Sequence, residues 1–254
     1  MVFRGWQKTS LNEWPGKVCS VVFLQSCNFR CSFCYNYDLV LNPKKLPLIK
    51  EKQVLNYCKK NKDLLDGVMI TGGEPLKIKN QKSILRLRSG LMVSKVEPSK
   101  IKNNLLEFIK KVKKLGLKVG VETNGSNPEM IDFLIKNKLV DYLAMDVKAP
   151  LIQEKYNQMT GVKVDLKKIK KSIRIIINSN IESEFRTTVI PGLLNEDDIL
   201  KIAKEIKGGK KYYLQQFQKG ETLGQLPKID VYSQKWFKEI KEKIKNLIDI
   251  ELRI

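Results

Sequence analysis

The sequence predicts an α/β fold: a single domain, 1–254, whose strand–helix units form an open or partial (β/α)6 barrel. Three observations predict it. Short runs rich in Val and Ile recur between amphipathic stretches, which is the rhythm of parallel strands joined by crossover helices. Six such units can be found, too few for a closed eight-fold barrel. The least ordinary residues fall just after the apolar runs, where open α/β sheets and barrels bind their ligands. At 254 residues the chain is long enough for one such unit with a substantial core.

In order, the strands are "KVCSVVFL" (17–24), "GVMI" (67–70), "LKVGVET" (117–123), "DYLAMDV" (141–147), "EFRTTVI" (184–190) and "KYYLQQF" (211–217). Helical spacing of apolar residues places helices near 51–60, 102–115, 128–137, 165–179, 196–206 and 232–247. "TGGEP" follows the second strand, "ETNG" ends the third, "MDVK" ends the fourth and "RTTVIPG" covers the end of the fifth, so four motifs converge on one face. One segment breaks the rhythm. "EPLKIKN" at 74–80 returns as "EPSKIKN" at 97–103, six identities in seven positions. With the stretch between removed, the connection has ordinary length, so 80–99 is expected to be an insertion forming a loop or short helix beside the ligand face.

Charge narrows the partners. The excess of 48 Lys and Arg over 27 Asp and Glu gives +21, a value that raises the question of nucleic acid. The lysines, however, alternate with apolar residues at helical spacing, as in "FIKKVKKLGLK" and "DLKKIKKSIR", which is the pattern of solvated helix faces. A basic nucleic-acid-binding metalloprotein is therefore a minor alternative. No run of 18 apolar residues offers a membrane span, and the N-terminal stretch lacks the apolar core of a signal peptide, so a cytoplasmic protein is expected.

"CNFRCSFCYN" carries Cys27, Cys31 and Cys34, three of the five cysteines of a chain with no histidine. In a reducing compartment such clustering suggests a metal or redox centre before a disulfide. A structural zinc site wants four ligands. Cys19 lies in an apolar strand and Cys58 on a helix, where cysteine acts as a small hydrophobe. Three thiolates on one loop suit a 4Fe-4S cluster in which one iron is left for a substrate.

Cys-x3-Cys-x2-Cys with Phe33 before the last cysteine, followed in order by "GGEP", "TNG", "MDVK" and "RTTVIPG", resembles the radical S-adenosylmethionine (SAM) enzymes, and the resemblance spans nearly the whole chain. "YLAMDVKAP", "EFRTTVIPGLLNEDDI" and "LQQF" are similar, more narrowly, to activating enzymes of glycyl radical enzymes, in particular those of anaerobic ribonucleoside-triphosphate reductase. The resemblance implies a partial barrel of the radical SAM type and a cluster on Cys27, Cys31 and Cys34. It also implies that SAM is cleaved to methionine and a 5′-deoxyadenosyl radical, which takes hydrogen from a partner's glycine. It gives Gly72 and Gly73 the close approach to SAM, and Glu74 its ammonium group. Glu122, Thr123, Asn124, Asp146 and Lys148 then line the SAM pocket, where some members hold a monovalent cation. Arg186 takes the SAM carboxylate, for which a guanidinium fork is suited. Two positions depart from the pattern: Glu122 stands for the usual aspartate and Tyr35 for the usual histidine. Implied partners are a glycyl radical enzyme and a low-potential donor such as flavodoxin or ferredoxin. A radical SAM enzyme acting on a small molecule or another peptide is the alternative.

Overall fold

The computed structural model describes residues 1–77, 103–224, 226 and 230–254. The expected insertion at 80–99 lies outside them. Among the described residues the strands are β1 (Val2–Phe3), β2 (Gly5–Ser10), β3 (Cys19–Leu24), β4 (Ile49–Lys50), β5 (Gly67–Gly72), β6 (Lys118–Thr123), β7 (Tyr142–Asp146), β8 (Glu182–Val189), β9 (Tyr212–Gln216) and β10 (Ile250–Arg253). The helices are α1 (Tyr37–Leu41), α2 (Glu51–Lys60), α3 (Asn103–Lys114), α4 (Pro128–Lys136), α5 (Gln153–Thr160), α6 (Leu166–Ile177), α7 (Glu196–Glu205) and α8 (Gln234–Ile244).

The six predicted strands are β3, β5, β6, β7, β8 and β9, side by side in chain order and all parallel. Two further strands extend the sheet. β10 adds a seventh parallel strand beside β9, and β2 pairs antiparallel with β3 at the other edge. The order runs β10-β9-β8-β7-β6-β5-β3-β2 without closing, the open topology that six to seven units permit.

Side chains alternate across each strand, and the two faces differ in kind. On one face Val22, Val68, Val121, Leu143, Phe185 and Leu214 join the helices in the main core. On the other, Cys19, Val21, Met69, Tyr142 and Ala144 form a smaller cluster around Trp14, which is fully buried. The indole lies stacked on Tyr142 at 4.9 Å between centroids and 16° between planes. Gly67 and Gly120 make room for it, since a Cβ at either would stand 3.0 Å from its ring. The cluster on this face is thus organised around an aromatic from the segment between β2 and β3.

The lysine excess sits where helical periodicity put it. α6 buries Ile169, Ile173 and Ile176 and exposes Lys167, Lys170, Lys171 and Arg174. Among the described residues no helix is long and apolar enough to cross a membrane.

Candidate active site

Leaving β3 at Leu24, the chain forms a loop that carries all three clustered cysteines before α1 begins at Tyr37. This loop lies directly on the end of β5. Gly73 donates its N–H to Leu24 O at 2.8 Å, and Glu74 N–H donates to Ser26 O at 2.9 Å. There is no room for a side chain between them. A Cβ on Gly73 would stand 2.1 Å from Ser26 O, and one on Gly72, at φ +115°, would stand 2.4 Å from Leu24 N. The glycines of "GGEP" are therefore required by the cysteine loop itself. Gly73→Ala is expected to cost about 3 kcal/mol, at the upper end of overpacking penalties, read as a lowered urea midpoint at unchanged slope. On its other flank the loop meets the C-terminal cap of α5. Arg30 N–H donates to Thr160 O at 2.7 Å, and a Cβ on Gly161 would stand 2.4 Å from Arg30 O.

Burial pushes the cysteine thiols up, Cys27 to about 11, Cys31 to about 12, and Cys34 in the same direction. Against burial, Phe29 N–H reaches Cys27 Sγ at 3.3 Å and the Asn124 amide reaches it at 3.9 Å. Asn124 also donates to Asn28 Oδ1 at 3.0 Å. Arg30 and Lys77 bind the Cys27 carbonyl, and Lys148 is the cation that acts on the thiols themselves. Its Nζ pairs with Asp146 at 2.8 Å and stands 5.7 Å from the centre of the Phe33 ring. Burial works against its charge, yet Asp146 and the neighbouring cysteines hold it protonated well above the ordinary lysine value.

Glu74 is buried at the junction of β5 and β6. It accepts from Thr123 Oγ1 at 2.8 Å, Asn124 N at 2.7 Å and Leu76 N at 3.0 Å. Burial pushes its carboxyl up to about 7 in spite of these donors. One side chain thus ties "GGEP" to "TNG", while its own N–H ties both to the cysteine loop. Cys27, Phe33, Glu74, Thr123, Asn124, Asp146 and Lys148 are thereby linked in one neighbourhood at the strand ends.

Glu122 and Arg186 belong to a second group on the Trp14 face. Arg186 is buried, and all three of its nitrogens are engaged. Nε donates to Glu184, Nη1 to Glu122, and Nη2 to Glu13 O at 2.9 Å. Glu122 accepts also from Thr71 Oγ1. Burial would raise the Glu122 carboxyl, but Arg186 and these hydrogen bonds hold it below the ordinary range. Burial, with Glu122 alongside, pushes Glu13 up to about 7. Between the ordinary carboxylate value and about pH 7 the native state then binds the extra proton, so stability falls as pH rises through that window. Glu13→Gln, neutral throughout, is expected to flatten this slope, seen as a smaller loss of thermal midpoint from about pH 5 to about pH 8; Glu74 contributes a remaining slope of the same sign.

The sequence did not point to Glu13, Thr71, Glu184 or Arg253, the last of which reaches Glu184 at 3.3 Å from β10. Glu184 had a usable signal, since it stands two residues before Arg186 and shares its face of β8. Arg253 had none, lying on a short strand with no motif.

The donor set fits an iron–sulfur cluster. Among the described residues no three Cys, Asp or Glu side chains converge on one point as a single cation would require. A 4Fe-4S cube makes no such demand, because each thiolate binds a different iron. Three soft thiolates and no histidine suit iron–sulfur ligation. Glu122, by contrast, already faces a cation supplied by the chain, the Arg186 guanidinium.

Comparison with known proteins agrees with this donor chemistry. Residues 21–206 match the model of the radical SAM superfamily. The Methanocaldococcus jannaschii protein MJ1227, named as a candidate glycyl-radical enzyme activating enzyme, is 31% identical over 244 residues, 93% of this chain and 89% of that one. Among solved structures, Streptococcus suis SuiB aligns over 92% of this chain at a TM-score of 0.65 and 12% identity, and its SAM-bound form at 0.64. Archaeal TYW1 aligns over 91% of this chain and 72% of its own at 0.50 and 16% identity. The chain spans about half the length of SuiB, 48% and 52% in the two forms, and at these identities the likeness concerns the fold. With a family match of that extent and a relative aligned nearly end to end, the chain belongs to the radical SAM superfamily and is an enzyme that works with a 4Fe-4S cluster and SAM.

Proposed function

We propose that the protein is an activating enzyme that installs a glycyl radical on a partner, with anaerobic ribonucleoside-triphosphate reductase as the expected partner. The observation that carries the activating role is the alignment along 93% of the chain with a relative named as a candidate glycyl-radical enzyme activating enzyme; the reductase as partner rests on the motif resemblance alone. Cys27, Cys31 and Cys34 would hold the cluster, leaving one iron for the amino and carboxylate groups of SAM. When bound, the cluster supplies the low-potential electron, from a range reaching to roughly −700 mV, that opens the sulfonium bond of SAM to methionine and a 5′-deoxyadenosyl radical. A reduced flavodoxin or ferredoxin would recharge it.

The protein's own part is orientation. Glu74 fixes the backbone at Asn124, and Asn124 in turn reaches Cys27, so the pocket wall and the cysteine loop are held as one piece. Phe33, Gly72, Gly73, Thr123, Asp146 and Lys148 would line the rest of the SAM pocket. Lys148 donates one of its three N–H groups to Asp146 and has two left for the SAM carboxylate. Arg186, with each of its nitrogens bonded to Glu184, Glu122 or the Glu13 carbonyl, would act on the pocket as the anchor of Glu122 rather than as a free anion clamp.

The test is anaerobic reconstitution with iron and sulfide, reduction, and assay of SAM for 5′-deoxyadenosine, with electron paramagnetic resonance before and after addition of an anaerobic reductase. Deoxyadenosine together with a glycyl radical doublet on the reductase is the expected result. Deoxyadenosine without the doublet would remove the reductase from the proposal and favour a small molecule or another peptide as substrate.

A further inference from the structure

The C-terminal half of the cysteine loop is gripped by residues 217–224, the segment that follows β9. Phe217 is buried, and its N–H is anchored to Val189 O at 3.3 Å. At the far end Leu223 N–H donates to Cys34 O at 3.1 Å and Gly224 N–H donates to Ser32 O at 2.7 Å. The approach there is too close for a side chain, since a Cβ on Gly224 would stand 2.5 Å from Ser32 Cβ. Between these ends sits Tyr35. Its ring stacks on Phe217 at 5.7 Å and 19°, and its hydroxyl is bonded twice to one residue. It donates to Gln218 O at 2.6 Å and accepts from Gln218 N–H at 2.7 Å. Tyr37, two residues on, donates to Glu221 Oε2 at 2.7 Å.

A phenol has one O–H to give and lone pairs to receive with, and here both capacities go to the backbone of one residue. That is the pairing one strand residue makes with another, achieved by a side chain. Because Tyr35 follows Cys34 directly, the bond fixes the last cysteine of the triplet, while the β5 glycines fix the start of the loop at Ser26. A cube on three thiolates requires the first and last of them to keep their separation, and two independent contacts set it.

We propose that residues 217–224 act as a clasp that positions the cysteine loop for cluster binding, and that Tyr35 is its latch. Tyr35 is a positioning residue that acts through Cys34. The assignment rests on the proposal that the three cysteines hold the cluster, and the test separates the two. Tyr35→Phe keeps the ring and its stacking and removes both hydrogen bonds. In the cluster-free protein it is expected to speed amide exchange at Gln218, Leu223 and Gly224 while leaving the β5 and β6 amides protected. In the reconstituted protein it is expected to release iron to a chelator about tenfold faster, an effect within what loss of two partly exposed hydrogen bonds allows. The reduced cluster should also show a broadened electron paramagnetic resonance signal, because Cys34 no longer holds one position. Gly224→Ala, which pushes the far end of the clasp off Ser32, should reproduce all three effects. Unchanged exchange at 218–224 in Tyr35→Phe would overturn the latch. Faster exchange with unchanged iron release and an unchanged signal would overturn its role toward the cluster. Retention of a full cluster by Cys31→Ala would instead defeat the ligand assignment, whatever the exchange data show.

Discussion

Cys31→Ala is expected to yield a folded protein that cannot be loaded. After anaerobic reconstitution its iron should fall from a full four-iron complement to a trace, its visible charge-transfer absorbance should vanish, and deoxyadenosine formation should drop to background. Cys31 is the most buried of the triplet, and two thiolates cannot keep a cube that needs three. The fold itself should lose little, about 1 kcal/mol, since Cys31 has the bulk of a small apolar side chain and its loop is pinned by backbone contacts on both flanks. The controls are Cys19→Ala and Cys58→Ala. Both side chains are fully buried, one beside Trp14 and the other on α2, and neither substitution should change iron content. A Cys31→Ala protein with full cluster content would sink the ligand set.

Arg186→Met should have the largest effect on stability. Arg186 is the counter-ion of Glu122 and Glu184, whose side chains are 18% and 3% exposed, and Glu13 stands 3.7 Å from the same guanidinium. Removing Arg186 leaves Glu122 without its ion-pair partner and Glu184 with Arg253 alone, which costs about 3 kcal/mol, the lower end for a broken buried pair. The urea midpoint reads this directly. The triple variant Arg186→Met, Glu122→Gln, Glu184→Gln should recover most of the loss, because the pair then disappears from both sides. If Arg186→Met alone shifts stability by less than about 1 kcal/mol, the network has been misjudged. The triple variant also permits a direct measurement of SAM affinity without a weakened fold; affinity within a few fold of the parent would place the carboxylate on Lys148.

What could be seen in the sequence follows from periodicity and burial. The six central strands were legible because β3, β5, β6 and β7 carry Val, Ile, Leu or Met, and β8 and β9 carry β-branched and aromatic residues, each set off from its neighbours by a helix pattern. β2, "GWQKTS", was not, since an antiparallel edge strand with one solvated face has no apolar run to show. β10, "IELR", was hidden for a related reason: Ile250 is its one buried residue, while Glu251 is exposed and Arg253 packs its guanidinium on Tyr213 at 3.8 Å. α5, "QEKYNQMT", buries only Tyr156, Met159 and Thr160, too few to set a helical period. In the site, spacing on one loop exposed the cysteines. The partners of Arg186 are set by which residues share a sheet face, and strand order has to be known before that face can be read.

The contact between "GGEP" and the cysteine loop bears on how such sequences are interpreted. Gly72 and Gly73 are demanded by Leu24 and Ser26, main-chain atoms that would be there whether or not SAM ever bound. Descendants that abandoned the chemistry could shed their thiols at little cost, yet would still need both glycines for as long as the loop crossed the strand end. A chain with the glycine pair and no cysteine triplet would then be a relic of the scaffold, and the glycine pair by itself is a record of ancestry more than of activity.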